Sequence, residues 1–152
     1  MGTIYRALKV RLYPNKKQET QILKTLGSCR FLYNQMLAER IKTYNEWKAS
    51  GEDVRKLYEY KYKTEKQYKE EFEWLSEPDS ISLQQSRIDL SMAYQNFFKS
   101  LSGKKKGKSG FPKFHKRGQK DSYRTLALGK NIDINYETRK VKLPKLGLVS
   151  FR

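Results

Sequence analysis

Residues 102–125 read SGKKKGKSGFPKFHKRGQKDSYRT and divide the chain into two differently patterned parts. Before this stretch, apolar residues recur mainly at helical spacing, and after it they alternate with a period of two. The stretch, which we call the basic arm, carries nine Lys/Arg against one acid, Asp121. Four ring side chains stand among these charges: Phe111, Phe114, His115 and Tyr123.

The chemistry of the basic arm favours a polyanionic partner. Cations neutralise phosphates and release their counterions, and aromatic rings stack on unpaired bases. A solvated linker between two domains is the alternative for any basic run. The interleaved rings and the break at Phe111-Pro112 favour a nucleic-acid-binding segment.

The net charge of +17 is unevenly distributed over the 152 residues, which suffice for one modest core. Residues 1–50 hold ten Lys/Arg and three Asp/Glu, 51–101 hold eight and ten, and 102–152 hold fifteen and three. We therefore expect two basic surfaces that face a polyanion, and a middle segment that packs on protein or contacts nucleic acid more selectively.

Several classes of protein are disfavoured. No run of 18 apolar residues exists and no signal-peptide core follows Met1, so membrane binding is the weaker use of the basic charge. The single Cys29 excludes an internal disulfide, and His115 without a cysteine partner cannot build a zinc site. We expect no metal held by this chain alone, and a reducing, cytoplasmic compartment.

The N-terminal part is predicted to be a strand followed by helices. Thr3–Tyr13 alternates as a half-buried strand with a basic, aromatic outer face, and Pro14 ends it. Asn15 and Gln18 form a capping box for a first helix. A pause at Gly27-Ser28 predicts a turn before a longer helix, which is either a helix-turn-helix or an ordinary helical hairpin.

The middle segment is predicted to hold two further helices. Gly51 breaks the preceding one, and Val54–Trp74 forms the next. It carries four tyrosines expected mostly at the surface: Tyr58, Tyr60, Tyr62 and Tyr68. A turn at Leu75–Asp79 precedes a helix over Ser80–Leu101, capped by Asp79 or its first residue.

The start of that last helix is a candidate DNA-reading position. A glutamine near an exposed helix start can pair with adenine through two hydrogen bonds in the major groove, which draws attention to Gln84 and Ser80. The alternative is an ordinary surface glutamine.

Beyond the basic arm the pattern predicts strands over Ser122–Leu128, Asn131–Tyr136, Lys140–Leu143 and Leu146–Phe151, with a turn at residues 137–139. The last strand ends the sequence and leaves an unpaired edge. We expect the N-terminal strand, another chain or further sequence to complete the sheet.

Eight segments, in order, resemble the N-terminal part of the TnpB family. They are Arg11-Leu12-Tyr13-Pro14-Asn15 with Gln18, Gly27-Ser28-Cys29-Arg30-Phe31-Leu32-Tyr33-Asn34, Trp74-Leu75-Ser76, Leu83-Gln84, Phe97-Phe98, Gly110-Phe111-Pro112-Lys113-Phe114, Asp121-Ser122-Tyr123-Arg124-Thr125 and Leu143-Pro144-Lys145-Leu146-Gly147. These proteins, formerly called OrfB transposases, are transposon-encoded RNA-guided DNA nucleases of prokaryotes related to compact Cas12 effectors. The resemblance implies a cytoplasmic, nucleoid-associated protein.

The resemblance also implies an α+β fold in which a helical recognition module is inserted after the first strand of an incomplete oligonucleotide-binding-like β-barrel, the wedge domain. The boundaries would be 1–14 for the wedge strand, 15–102 for the recognition domain, and 103–152 for the basic arm and remaining wedge strands. The RuvC-like carboxylates and the Cys-rich zinc element of the family are missing from this sequence. The chain is expected to have no catalytic residues and no metal of its own, with Mg²⁺ bound only by the missing nuclease domain.

The implied partners are a guide RNA, double-stranded target DNA, and the remainder of the nuclease on the same or a separate chain. Candidate residues for reading the flanking DNA motif are Gln84, Ser80, Ile81, Tyr58, Leu128 and Gly129. Candidates for binding RNA or phosphate are Lys104, Lys105, Lys106, Lys113, His115, Lys116, Arg117, Tyr123, Arg124, Arg11 and Arg30. Tyr33 and Asn34 match a family motif whose role the residues alone do not give. A stand-alone DNA-binding regulator that works without a guide is the alternative function.

Overall fold

The computed structural model describes residues 2–104, 106–119 and 121–152. The helices are α1 (Lys16–Ser50), α2 (Val54–Glu59), α3 (Glu65–Glu71) and α4 (Ser80–Leu101), with a 3₁₀ turn at Glu73–Ser76. The strands are β1 (Leu12–Tyr13), β2 (Asp133–Asn135), β3 (Lys140–Leu143) and β4 (Gly147–Phe151). The predicted α+β class is confirmed.

The chain forms two compact units. The sheet unit consists of Met1–Leu23 and Leu126–Arg152, and the helical unit consists of Lys24–Thr125. The sheet unit therefore contains both ends of the sequence, and the basic arm belongs to the helical unit.

Helix α1 runs without interruption for 35 residues, so the predicted turn at Gly27-Ser28 is wrong. A helical glycine costs only about 1 kcal/mol relative to alanine, and the buried neighbours Ser28 and Cys29 hold this part of the helix against the core. The start is as predicted, since the Gln18 amide N–H donates to Asn15 Oδ1 at 2.8 Å and the Asn15 N–H donates to Gln18 Oε1 at 3.0 Å. The end is also confirmed, at Gly51 with a φ of 70°.

The predicted helix over Val54–Trp74 is interrupted at residues 60–64. Thr64 caps α3 through a reciprocal pair of hydrogen bonds with Gln67, and such a cap starts a new helix. A carboxylate on α1 holds the connecting segment, because Glu39 accepts from the Lys63 N–H at 3.0 Å. A contact this distant in sequence is invisible to local periodicity.

The core of the helical unit lies between α1, α4 and the segment that connects them. Its most deeply buried apolar side chains are Leu32, Leu37, Leu75, Leu83 and Leu90, each with no exposed surface. The predicted bounds of α4 are confirmed, and Asp79 is its cap.

Among the four tyrosines predicted at the surface, Tyr58 is 80% exposed. Tyr60 and Tyr62 are also exposed. Three of the four are therefore exposed, as predicted for most of them. Tyr68 is the exception, because it is buried and its hydroxyl donates to Glu39 at 2.6 Å.

The sheet is antiparallel, with the strand order β1-β4-β3-β2. Its small core consists of Val141, Val149 and Phe151. The N-terminal strand β1 pairs with β4, which is one of the three ways in which the sheet was expected to be completed. The sheet is open and has four strands, so the oligonucleotide-binding-like barrel of the wedge domain stays a prediction.

Two predicted strands are wrong in extent or existence. Of the predicted Thr3–Tyr13 strand, only Leu12–Tyr13 forms β1, and the pairing extends one residue further, where Arg11 and Arg152 exchange backbone hydrogen bonds of 2.8 and 2.9 Å. The predicted strand over Ser122–Leu128 is irregular backbone. Its middle residues are held by side-chain contacts to the helical unit, described below, and these replace a strand ladder.

Across the described ranges, no helix is both long and apolar enough to cross a bilayer.

Candidate nucleic-acid interface

The basic arm has no helix or strand in its described residues beyond the end of α4, yet it is attached to the helical unit at several points. Near its start, the Phe111 ring meets the rings of Tyr94 and Phe97 edge-on, with centroids 5.5 and 5.3 Å apart. Pro112 beside it is buried. These contacts form the first attachment of the basic arm, to the C-terminal half of α4.

The second attachment is to α1. The His115 ring stacks on the Tyr33 ring, with centroids 3.9 Å apart and an interplanar angle of 11°. The side-chain amide of Asn34 accepts from the His115 main-chain N–H at 2.8 Å and donates to the His115 carbonyl oxygen at 2.9 Å. Tyr33 is buried, and burial raises the pKa of its hydroxyl. We call Tyr33 and Asn34 the arm clamp.

The third attachment uses charged and polar groups at the end of the basic arm. Arg30 on α1 forms an ion pair with Asp121 at 3.5 Å. Arg124 pairs with Asp89 on α4, and the Thr125 hydroxyl donates to Asp79. Two candidate phosphate ligands, Arg30 and Arg124, therefore already have carboxylate partners.

Tyr123, another candidate ligand, is half-buried and packs against the helical core. Burial raises the pKa of its hydroxyl. Its ring is therefore part of the packing that holds the arm.

The remaining candidates in the basic arm point to a polyanion. Six cations there are exposed and have no ion pair within the described part of the chain: Lys104, Lys106, Lys108, Lys113, Lys116 and Arg117. Lys105 was also predicted to bind phosphate, but it lies outside the described residues. The rest of the helical unit, residues 24–101, is close to neutral, with thirteen Lys/Arg and twelve Asp/Glu. The positive charge of this unit is thus concentrated on the arm.

Three of the candidates for reading DNA lie together at the start of α4. Leu83 and Gln85 are buried, which turns the intervening Gln84 outward to solvent. Ser80 is exposed and Ile81 is half-buried on the first turn. This arrangement is compatible with a helix start that contacts base edges.

The other three candidates lie elsewhere. Tyr58 is on α2. Leu128, which is 61% exposed, and Gly129, with a φ of 63°, belong to a turn of the sheet unit. The side chain of Asn131 holds that turn, accepting from the Leu128 N–H at 2.7 Å.

The sheet unit presents a second basic surface, which we call the outer sheet face. The strand register places Val141, Val149 and Phe151 on the core face and the intervening residues on the opposite face. The outer sheet face carries Arg11, Tyr13, Asp133, Asn135, Lys140, Lys142, Leu148, Ser150 and Arg152, all exposed, and Asp133 is its one acid among these residues.

Tyr13 lies at the centre of a cationic group on that face. The guanidinium groups of Arg11 and Arg152 lie 5.7 and 5.5 Å from the centroid of its ring. Among the candidate ligands above, only Arg11 comes from this face. The alternation of β3 and β4 was the sequence signal that could have added Lys140, Lys142 and Arg152.

Within the described ranges, no three His, Cys, Asp or Glu side chains cluster so that they could hold a metal ion. Cys29 is buried, and burial raises the pKa of its thiol.

Comparison with known proteins gives one matching family model and several relatives. A family model for the helix-turn-helix domain of OrfB proteins matches residues 1–49. Over this range the structure has one continuous helix, α1, after the short strand β1. The chain is 34% identical to InsQ of Escherichia coli K12, which is named as a proposed RNA-guided DNA endonuclease. The 150 matched residues are 97% of this chain and 33% of InsQ.

Two further relatives cover less of the chain. A proposed RNA-guided DNA endonuclease of Streptomyces pristinaespiralis is 34% identical over 98 residues, 64% of this chain and 24% of that protein. The virulence protein VsdF of Salmonella dublin is 33% identical over 116 residues, 74% of this chain and 93% of VsdF. The chain therefore spans a third or less of the length of the two endonuclease relatives.

Proposed function

The chain belongs to the TnpB family, also called OrfB, and on that premise we propose that it is the nucleic-acid-binding N-terminal part of an RNA-guided DNA endonuclease. It binds guide RNA and recognises a short duplex motif beside the target. Cleavage belongs to a part of the endonuclease that follows this region, and Mg²⁺ acts there.

The observation that carries the proposal is the set of exposed cations on the basic arm for which the described residues provide no carboxylate partner. Lys113, Lys116 and Arg117 lie within two residues of a main-chain position fixed on α1. Cations without carboxylate partners neutralise phosphates without first breaking an ion pair. Their attraction to a polyanion is therefore not reduced by the free energy of a lost ion pair. The outer sheet face adds Arg11, Lys140, Lys142 and Arg152 on an exposed sheet.

In this proposal the basic arm and the outer sheet face contact the phosphate backbone of nucleic acid, and such contacts do not distinguish one base sequence from another. In the proposed division of labour, base pairing with the guide identifies the target, and protein side chains read only the flanking motif. Gln84 is the principal candidate for that reading, because its side chain is exposed on the second turn of a capped helix.

Co-purification tests the proposal. The chain is expressed together with the DNA that flanks its gene, purified at moderate salt, and the bound RNA is sequenced. One defined small RNA is the expected result, and a variant with Lys113, Lys116 and Arg117 changed to Ala serves as the depleted control. The proposal is contradicted if the bound RNA is a random sample of cellular RNA and the triple variant co-purifies with the same amount of it.

The alternative is a regulator that binds DNA without a guide. In the same preparation, tight binding to one duplex sequence after complete RNase treatment supports the regulator and rejects the guide-dependent function.

A further inference from the structure

We propose that Tyr33 and Asn34, the arm clamp, are positioning residues for nucleic-acid binding: they hold the basic arm in one conformation before the polyanion arrives. The inference rests on the proposed function, and it assigns a role to two residues that carry no charge. Neither side chain needs to touch nucleic acid for this role.

Asn34 recognises the main chain of the arm and not a side chain. Its amide group makes both an accepting and a donating hydrogen bond to the backbone of His115, at 2.8 and 2.9 Å. This two-point contact fixes the position and direction of the arm backbone, as a partner strand would. It also joins residues that are 81 positions apart in the sequence.

Tyr33 fixes the same residue through its ring. The rings of Tyr33 and His115 are nearly parallel at 3.9 Å, and Tyr33 is itself buried in the helical core. The arm is thereby stacked on a rigid part of the molecule. His115 was a candidate phosphate ligand, and its ring is instead engaged with α1.

The location of the clamp explains why it matters for binding. His115 lies between Lys113 and the pair Lys116-Arg117 in the sequence, and the described residues around it have no helix or strand to order them. A free segment loses conformational entropy when it binds, which weakens its affinity, whereas a segment that is already ordered does not incur this loss. The clamp therefore increases affinity without adding a phosphate contact.

This mechanism has a specific signature in salt titrations. The slope of log K against log salt reports the number of neutralised phosphates. Removing a cation flattens the slope, whereas releasing the arm lowers the affinity at every salt concentration and leaves the slope unchanged. The two roles are distinguishable in one experiment.

The test uses the full chain with two probes of the same sequence, a 20-nucleotide single-stranded RNA and a DNA duplex. For Asn34→Ala we expect faster hydrogen exchange of the His115 amide, an affinity reduced about tenfold for the probe that the unaltered chain binds, and an unchanged salt slope. The matched control is Asn45→Ala, an exposed asparagine on the same helix, which should bind as the unaltered chain does.

Substitution of His115 separates positioning from direct contact. His115→Ala removes the stack and should weaken binding, while His115→Phe restores a ring on Tyr33 and should recover affinity. Because phenylalanine cannot bind phosphate, such a recovery is due to the stack. Failure of His115→Phe to recover affinity would show that the imidazole itself contacts nucleic acid and would overturn the inference.

Each remaining outcome is also decisive. Unchanged affinity of Asn34→Ala despite faster exchange at His115, or a flattened slope in that variant, refutes the positioning role alone. If the unaltered chain binds neither probe, the proposed function fails. Should Asn34→Ala not fold, Asn34→Asp keeps the acceptor for the His115 N–H, and wild-type affinity with faster exchange in that variant contradicts the inference equally.

Discussion

The sheet unit and the helical unit carry similar positive charge but organise it differently. The sheet unit has eleven Lys/Arg and three Asp/Glu, and the helical unit has twenty-two and thirteen. In the first, the cations extend from a short sheet whose core is Val141, Val149 and Phe151. In the second, they are concentrated on an irregular arm that is attached to a larger, nearly neutral helical core.

The difference shows two ways to present cations to a polyanion. A sheet orders alternate side chains on one face through its own backbone ladder. Pairing of β3 with its sequence neighbours β2 and β4 displays Lys140 and Lys142, and pairing of β1 with β4 adds Arg11. An arm without a ladder needs side chains from elsewhere to order it, and Asn34, Arg30 and Asp89 provide those contacts. The predictions below test in turn the packing of the helical core, the cations of the two surfaces, the reading of bases by Gln84 and the effect of pH on stability.

The largest effect is expected in the helical core. Leu83→Ala removes a side chain with no exposed surface and should lower the free energy of unfolding of this unit by about 2–5 kcal/mol. Urea unfolding followed by circular dichroism at the helical wavelength measures it. Leu101→Ala on the same helix, where the leucine is 69% exposed, should change stability by less than about 0.5 kcal/mol. Equal losses in both variants would mean that α4 does not carry the core.

Neutralising the arm should have the next largest effect. With Lys113, Lys116 and Arg117 changed to Ala, the salt slope should flatten by about 2.7 on a duplex or about 2.1 on a single strand, and affinity at moderate salt should fall roughly a hundredfold. A parallel variant with Arg11, Lys140 and Lys142 changed to Ala shows how much the outer sheet face contributes.

The control for these triple variants is Lys42→Ala, because this exposed lysine is already paired with Glu46 and should leave the slope unchanged. A slope that responds only to the sheet variant would make the basic arm a linker.

Base selectivity should change by a smaller amount. Gln84→Ala is expected to relax preference at one base of the flanking motif by about 1–3 kcal/mol without affecting the salt slope. A randomised-motif depletion assay with the complete endonuclease measures the preference, and Gln95→Ala, also exposed on α4, is the matched control. Unaltered selectivity in Gln84→Ala would remove this residue from the reading surface.

The smallest effect concerns alkaline pH. Burial and the hydrogen bond to Glu39 raise the pKa of Tyr68 above its ordinary value of 10.0. A raised pKa favours the protonated form in the folded state, so this contribution is fully present below pH 10 and is lost as the pH rises toward the folded-state pKa.

Tyr68→Phe should cost about 1 kcal/mol at pH 7, through the lost hydrogen bond, and should flatten the decline in stability above pH 10. Urea unfolding at several pH values measures both, with Tyr58→Phe, 80% exposed, as control. An unchanged decline in Tyr68→Phe would assign the alkaline sensitivity to other groups.

Local signals predicted much of the fold. The cap at Asp79 and the apolar spacing after it gave the correct bounds of α4, and Gly51 marked the end of α1. Lys140–Leu143 was correct as a strand because its alternation and the turn before it are short-range features. Gln84 was correctly expected on an exposed helix surface for the same reason.

The errors occurred where distant contacts decide the backbone. The turn at Gly27-Ser28 was absent because packing of α1 outweighs the propensity of one glycine. The helix after Val54 was divided at residues 60–64, where Glu39 on α1 accepts from the Tyr60 hydroxyl and the Lys63 N–H. The strand over Ser122–Leu128 was absent because Arg124 and Thr125 bind carboxylates on or beside α4.

The sequence by itself determined the α+β class, the segregation of charge and the position of the cationic arm, since these depend on composition and on contacts within a few residues. Only the tertiary structure decided which cations of the described residues have a carboxylate partner, that β1 joins β4 to extend the outer sheet face, and that Tyr33 and Asn34 hold His115 in place. Each of these depends on groups that meet across tens of residues, and the free energy of such a contact is set by three-dimensional proximity, which local periodicity does not encode.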